Sequence, residues 1–143
     1  MKDVLVDTNV LLDVLAGREP FYPHSAAIWV LAERGRIKAH VSVVSFTNLF
    51  YIIRKLRGRD VAQQALRKMR DVFNPIALDA QLLNQAMDSG FADFEDAIQY
   101  FSAIRADATR IISRNPDHFP ASSTVVVLSP LEFLAAWVDG VPE

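Results

Sequence analysis

Val4-Leu5-Val6-Asp7-Thr8-Asn9-Val10-Leu11-Leu12-Asp13 is the stretch that decides the fold, because an apolar β-type run delivers a carboxylate where helical spacing begins. A short apolar run of this kind reads as a buried strand of a parallel sheet. Asp7 then stands at the carboxyl edge of that sheet, where open α/β folds place their ligands. An aspartate there can cap the following helix and complement its dipole, or hold a divalent metal through a hard oxygen. Thr8 and Asn9 add a hydroxyl and an amide that can orient it.

The same alternation runs on through the chain. Residues 3–6 read as the first strand, 9–16 and 22–34 as helices, and 38–44 as a second strand built on Val41, Val43 and Val44. Helices follow over 46–57 and 60–71, broken at Gly58, then a third strand over 72–78. Helices over 80–88 and 93–106, the latter opened by Asp93, precede strands at 109–113 and 124–128 and a closing helix over 130–138 with Pro130 at its start. The fold class is α/β: a mostly parallel five-stranded sheet flanked by helices on both faces, in one domain spanning 1–143.

Composition excludes several kinds of chemistry. The 143 residues are 51% hydrophobic and include no cysteine, so thiolate zinc sites, cysteine nucleophiles and disulfides are out. Met1-Lys2-Asp3 runs straight into a strand, which leaves no secretory leader and predicts a cytoplasmic protein. No apolar run approaches the roughly 20 residues needed to cross a bilayer. There is no Gly-rich phosphate loop, and Ser45 lacks the Gly-x-Ser-x-Gly setting of a hydrolase nucleophile. His24, His40 and His118 have no metal-ligand spacing, and only His118 falls near the expected cleft. Trp29, Trp137 and the Phe50-Tyr51 pair sit in apolar helical stripes and are expected in the core or a subunit interface.

Net charge is −2, which gives no global attraction to nucleic acid, but the cations are uneven. Nearly half of the 15 basic residues fall between Arg54 and Arg70, opposed only by Asp60. Arg54, Lys55 and Arg57 could follow a phosphate backbone, or could simply be solvated cations at a helix C-terminus.

Parallel topology gathers distant residues at one edge. Asp7 ends the first strand, Ser45, Thr47 and Asn48 follow the second, and Ser113 and Asn115 follow the fourth. Asp93 and Asp96 share a stripe at i,i+3 spacing, with Phe94, Ala97, Ile98 and Phe101 on the apolar face beside them. Of the other acids, Asp13 faces the cleft or solvent, Asp117 belongs to a turn, and Glu95 is expected on the solvated side of its helix.

Taken in order, Val-Asp-Thr-Asn-Val-Leu-Leu-Asp at 6–13, Ser-Phe-Thr-Asn-Leu at 45–49, Asp-Phe-Glu-Asp-Ala at 93–97 and Ser-Arg-Asn-Pro-Asp-His-Phe at 113–119 resemble a PIN domain. The segment Arg18-Glu19-Pro20-Phe21 resembles the bacterial, toxin-like branch of that family. The resemblance implies a ribonuclease dependent on Mg²⁺ or Mn²⁺, with RNA as substrate, an antitoxin protein as partner and a homodimer as assembly. Carried over by position, the family's acids match Asp7 and Asp96, whereas its second and fourth fall on Asn48 and Asn115. An amide offers a metal a carbonyl oxygen but no charge, so both replacements weaken the site. Asp93 is the first choice for an extra ligand, with Thr8, Asn9, Asn48, Ser113 and Asn115 supporting and Arg54, Lys55 and Arg57 holding the strand. The alternative is a PIN scaffold that binds RNA or a protein partner without cutting. A receiver-like phosphoacceptor is disfavoured, since Leu128-Ser129-Pro130 supplies no lysine after the last strand.

Overall fold

In the computed structural model, which describes residues 2–121 and 124–137, Val4, Leu5 and Val6 are wholly buried in the first strand, β1 (Lys2–Val6). A strand apolar on both faces needs cover on both, and its neighbours supply it. The chain continues through α1 (Thr8–Leu15), α2 (Tyr22–Glu33), β2 (Ile37–Ser42), α3 (Val43–Arg57), α4 (Arg59–Val72) and β3 (Asn74–Ile76). It is completed by α5 (Ala80–Asp88), α6 (Phe94–Arg105), β4 (Arg110–Ile112), a 3₁₀ turn (Pro116–His118), β5 (Val126–Leu128) and α7 (Pro130–Ala136). The strands lie in the order β3-β2-β1-β4-β5, and every pairing is parallel.

Alternate strand residues serve opposite faces. Val4, Val6, Val41 and Ile112 join Leu11, Ile28, Leu49, Met69 and Phe133, drawn from α1, α2, α3, α4 and α7, in the larger core. On the other face Leu5 and Ile111 pack against Ala103 of α6, and Leu82 of α5 packs against Ala97 and Ile98. Helices therefore cover both faces, as the alternation of elements implies.

Two boundaries differ from the sequence reading for identifiable reasons. The second strand stops at Ser42, and Val43 and Val44 open α3, because the Ser42 hydroxyl accepts from the Val44 amide at 3.2 Å. A satisfied N-cap outweighs the β preference of two valines. The third strand shrinks to Asn74–Ile76 because α4 runs on to Val72, with Met69 and Phe73 buried. Pro75 has no amide hydrogen to donate, and β3 lies at the sheet's edge, where that is tolerated. The last helix ends at Ala136, and Val138 lies outside the described residues.

The chain steps outward from β1 to β2 and β3, then crosses back to place β4 and β5 on the other side. The switch point lies between β1 and β4, where the loops part and leave a crevice at the carboxyl edge. Ladder bonds run one residue past both strand ends, from Asp7 N to Ile112 O and from Ser113 N to Leu128 O, each 2.9 Å. Asp7 and Ser113 are thus fixed side by side at the crevice.

Candidate metal centre

Asp7 is 4% exposed and caps α1 while facing the crevice. Its Oδ1 accepts from the Thr8 amide at 2.7 Å, and its Oδ2 accepts from the Ser113 hydroxyl at 2.8 Å. The capping and cleft roles open to this residue are therefore compatible. Burial is the main cause that pushes its pKa up to about 6, and the charges of Asp96 and Glu95 add to it, against the two hydrogen bonds that oppose the shift. Asp96, half-buried, is also raised, first by burial and then by Asp93, with His118 acting the other way from 3.5 Å.

These groups border one cleft of about 530 Å³, whose polar wall includes Asp7, Thr8, Asn9, Asn48, Asp93, Glu95, Asp96, Asn115 and His118. The fold thus brings together the acids of β1 and α6 and the two amides from α3 and the loop after β4. Asp93 is exposed and caps α6, its Oδ1 accepting from the Asp96 amide at 2.9 Å. Ser113 is wholly buried behind Asp7. Thr47 is exposed and outside the cleft wall. Arg54, Lys55 and Arg57 form the last turn of α3, beyond Tyr51 and Ile52, which line the cleft.

Glu95 does not lie on a solvated side. Its Oε2 accepts from the Thr8 hydroxyl at 3.0 Å and from the Asn48 amide at 2.9 Å. Gln99, wholly buried, donates to Ser45 at 3.0 Å, and with Thr8 committed to Glu95 the Ser45 hydroxyl donates to Thr8 at 2.7 Å. A relay from Gln99 through Ser45 and Thr8 holds the carboxylate. Asn48 therefore works as a donor that fixes an acid from α6, and returns to the cleft a charge its own side chain lacks. The signal for this in the sequence is the polar series Glu95, Gln99 and Ser102 at i, i+4 and i+7, the stripe that α6 turns inward.

Two further acids stand elsewhere. Asp13 faces neither cleft nor solvent: it is fully buried and bonded to Arg114 at 2.7 Å. Asp117 is exposed in the 3₁₀ turn. Tyr51 is neither core nor covered, since it is 60% exposed on the cleft wall, whereas Trp29, Phe50 and Trp137 do pack on the core.

Among the described residues no three His, Asp or Glu side chains form a ready-made cage for an ion. Mg²⁺ rarely needs one, because it keeps several waters and binds through one or two carboxylates plus substrate phosphate. The donor set is hard oxygen throughout, and a nearby dication would offset the burial that chiefly raises Asp7 as well as the smaller repulsion from Asp96 and Glu95. The residues fit such an ion.

Known structures share this architecture. The VapC20 toxin of Mycobacterium tuberculosis, described as cleaving the sarcin-ricin loop, superposes with a TM-score of 0.66 at 14% identity, over 80% of this chain and 92% of that one. A toxin-antitoxin complex from Klebsiella pneumoniae gives 0.67 at 19% identity, over 89% and 97%. The DNA-bound VapBC of Salmonella typhimurium gives 0.66 at 12% identity, over 91% and 99%. No curated protein matches the sequence. At these identities the likeness establishes the fold, and the family is established separately by a PIN domain model that matches residues 3–117. This chain belongs to the PIN domain family.

Proposed function

We propose that this PIN domain is a metal-dependent endoribonuclease, with Asp7 and Asp96 as the principal metal ligands and Asp93 and Glu95 completing the negative field. The observation that carries the reading is the buried Asp7 carboxylate, held against Asp96 and Glu95 at the switch point of the sheet and raised to about 6. Strained carboxylates in a cleft mark functional sites more often than structural ones. Mg²⁺ or Mn²⁺ bound there supplies Lewis-acid polarisation of a phosphodiester and a more acidic water.

The chain's own residues do the rest. Ser113 and the Thr8 amide fix the Asp7 carboxylate, and Asn48 and Thr8 fix Glu95. Asn9 and Asn115 border the same space with amides suited to phosphate oxygens. Tyr51 offers an exposed ring on which an unpaired base can stack, and Arg54, Lys55 and Arg57 continue the path along α3 for the phosphates.

Because relatives of the same fold include toxin-antitoxin complexes, an antitoxin-like protein is the proposed partner. Among the described residues no helix is long and apolar enough to cross a membrane. The rival, a module that binds without cutting, draws on the amides at Asn48 and Asn115. Glu95 makes good one of those charges, which favours the nuclease.

The test is cleavage of labelled RNA with Mn²⁺ and with EDTA. Cleavage that EDTA abolishes supports the enzyme; RNA bound and left intact at millimolar Mn²⁺ supports the module. Two variants refine it. Glu95→Gln is expected to weaken Mn²⁺ binding about 10-fold in calorimetric titration while the protein stays folded. Tyr51→Ala is expected to weaken RNA binding by about 1–2 kcal/mol and to leave Mn²⁺ affinity unchanged, so filter binding and metal titration separate the two roles.

A further inference from the structure

The segment Arg18-Glu19-Pro20-Phe21 lies outside the cleft wall, yet its Phe21 ring packs on Arg114, whose chain neighbours Ser113 and Asn115 belong to the site. Asp13 of α1 is 0% exposed and would be a costly isolated charge. Its Oδ2 accepts from Arg114 Nε at 2.7 Å and from the Ser25 hydroxyl at 3.1 Å, and Arg18 Nε stands 3.9 Å from Oδ1. The Arg114 guanidinium also lies over the Phe21 ring, 3.9 Å from its centroid. One side chain is thereby gripped from two directions, by a buried carboxylate and by an aromatic face.

Arg114 sits between Ser113, which holds Asp7, and Asn115, which borders the cleft. Its own amide donates to Asn9 Oδ1 at 3.2 Å, and the next amide, of Asn115, donates to the Ser113 hydroxyl oxygen at 3.1 Å. Fixing the Arg114 side chain therefore fixes a stretch of backbone that sets both the Asp7 partner and the Asn115 amide.

We infer that Asp13, Arg114 and Phe21 form a clasp that positions the loop after β4 in the metal centre, with Arg114 as a positioning residue that does not itself touch metal or RNA. The metal consequence rests on the nuclease reading; the ordering of the loop does not. The Arg18–Phe21 segment then has a role that its distance from the cleft conceals: it supplies the ring and the second cation around Asp13.

Arg114→Ala strips a buried carboxylate of its main partner and can unfold the protein, so two gentler variants carry the test. Arg114→Lys keeps the charge but loses the planar group that both stacks and donates, and Phe21→Leu keeps an apolar side chain there while removing the ring. In each, amide hydrogen exchange by NMR on the metal-free protein is expected to quicken about 10-fold at Arg114 and Asn115, with β2 amides unchanged. Mn²⁺ affinity is expected to fall about 10-fold with circular dichroism unaltered. General loss of stability would instead speed exchange throughout and leave the folded fraction binding Mn²⁺ normally, and that result overturns the clasp. Exchange equal to wild type in both variants overturns it too, as does unchanged Mn²⁺ affinity in both where the wild-type protein binds the ion. Local quickening together with a wild-type protein that takes up no Mn²⁺ upholds the clasp and removes the nuclease reading instead.

Discussion

Asp7→Asn is expected to abolish metal-dependent RNA cleavage and at the same time to make the metal-free protein more stable. The sign comes from the raised pKa. Folded Asp7 keeps its proton up to about pH 6, whereas in the unfolded chain it releases it near the ordinary value of 3.8. Between those values the folded state holds more protons, so stability falls as pH rises through the window, and the whole penalty is present above it. A shift of about two units corresponds to about 3 kcal/mol. An asparagine of the same shape carries no such penalty, but its NH₂ must face the Ser113 hydroxyl, which can accept only by giving up the bond it now donates. A net gain of about 1–2 kcal/mol is expected, seen as a melting temperature higher by about 3–6 °C at pH 7.5 without metal. Near pH 4, where wild-type Asp7 is protonated when folded, the gain should be lost and the variant should be no more stable than wild type. A variant less stable than wild type at pH 7.5 would mean that the carboxylate is not under strain. Since metal binds the deprotonated acid, wild-type Mn²⁺ affinity should also fall as pH drops through about 6.

The second large effect lies away from the cleft. Asp13→Ala leaves Arg114 and Arg18 without their buried partner, and the Ser25 hydroxyl without its acceptor. Breaking a buried pair costs about 3–5 kcal/mol, and the lower end applies because the Arg114 and Arg18 side chains are 19% and 44% exposed and can turn to water. Urea denaturation measures it. A loss of only a few tenths of a kcal/mol would show that the carboxylate contributes no structure to α1.

The sequence disclosed the strand order's consequence better than its geometry. Asp7 could be placed because Val4-Leu5-Val6 has one plausible fate, a central strand, and the residue after a central parallel strand lies at the carboxyl edge. Asp93 and Asp96 could be paired because helical spacing is local. Glu95 could not be placed, since which flank of α6 turns inward depends on how α5 returns the chain to the sheet, a long-range matter. The sequence suggested a solvated Glu95, and tertiary packing made it the partner of Thr8 and Asn48. Asp13 failed for the same reason: its partner Arg114 is 101 residues away and comes into reach only when β4 pairs beside β1. Ser42 shows the opposite case, a local cap that the reading of 38–44 as one strand passed over and that prevails over valine propensity.

Diffraction from crystals grown with Mn²⁺, recorded to locate the metal by its anomalous signal, tests the central claim most directly. The account predicts a peak in the cleft, with carboxylate oxygens of Asp7 and Asp96 at about 2.1–2.2 Å, Glu95 held by Asn48 beside it, and no peak in crystals of Asp7→Asn. A cleft without metal at millimolar Mn²⁺, with Asp7 still closed on Thr8 and Ser113 and Asp96 turned away to His118, would contradict it.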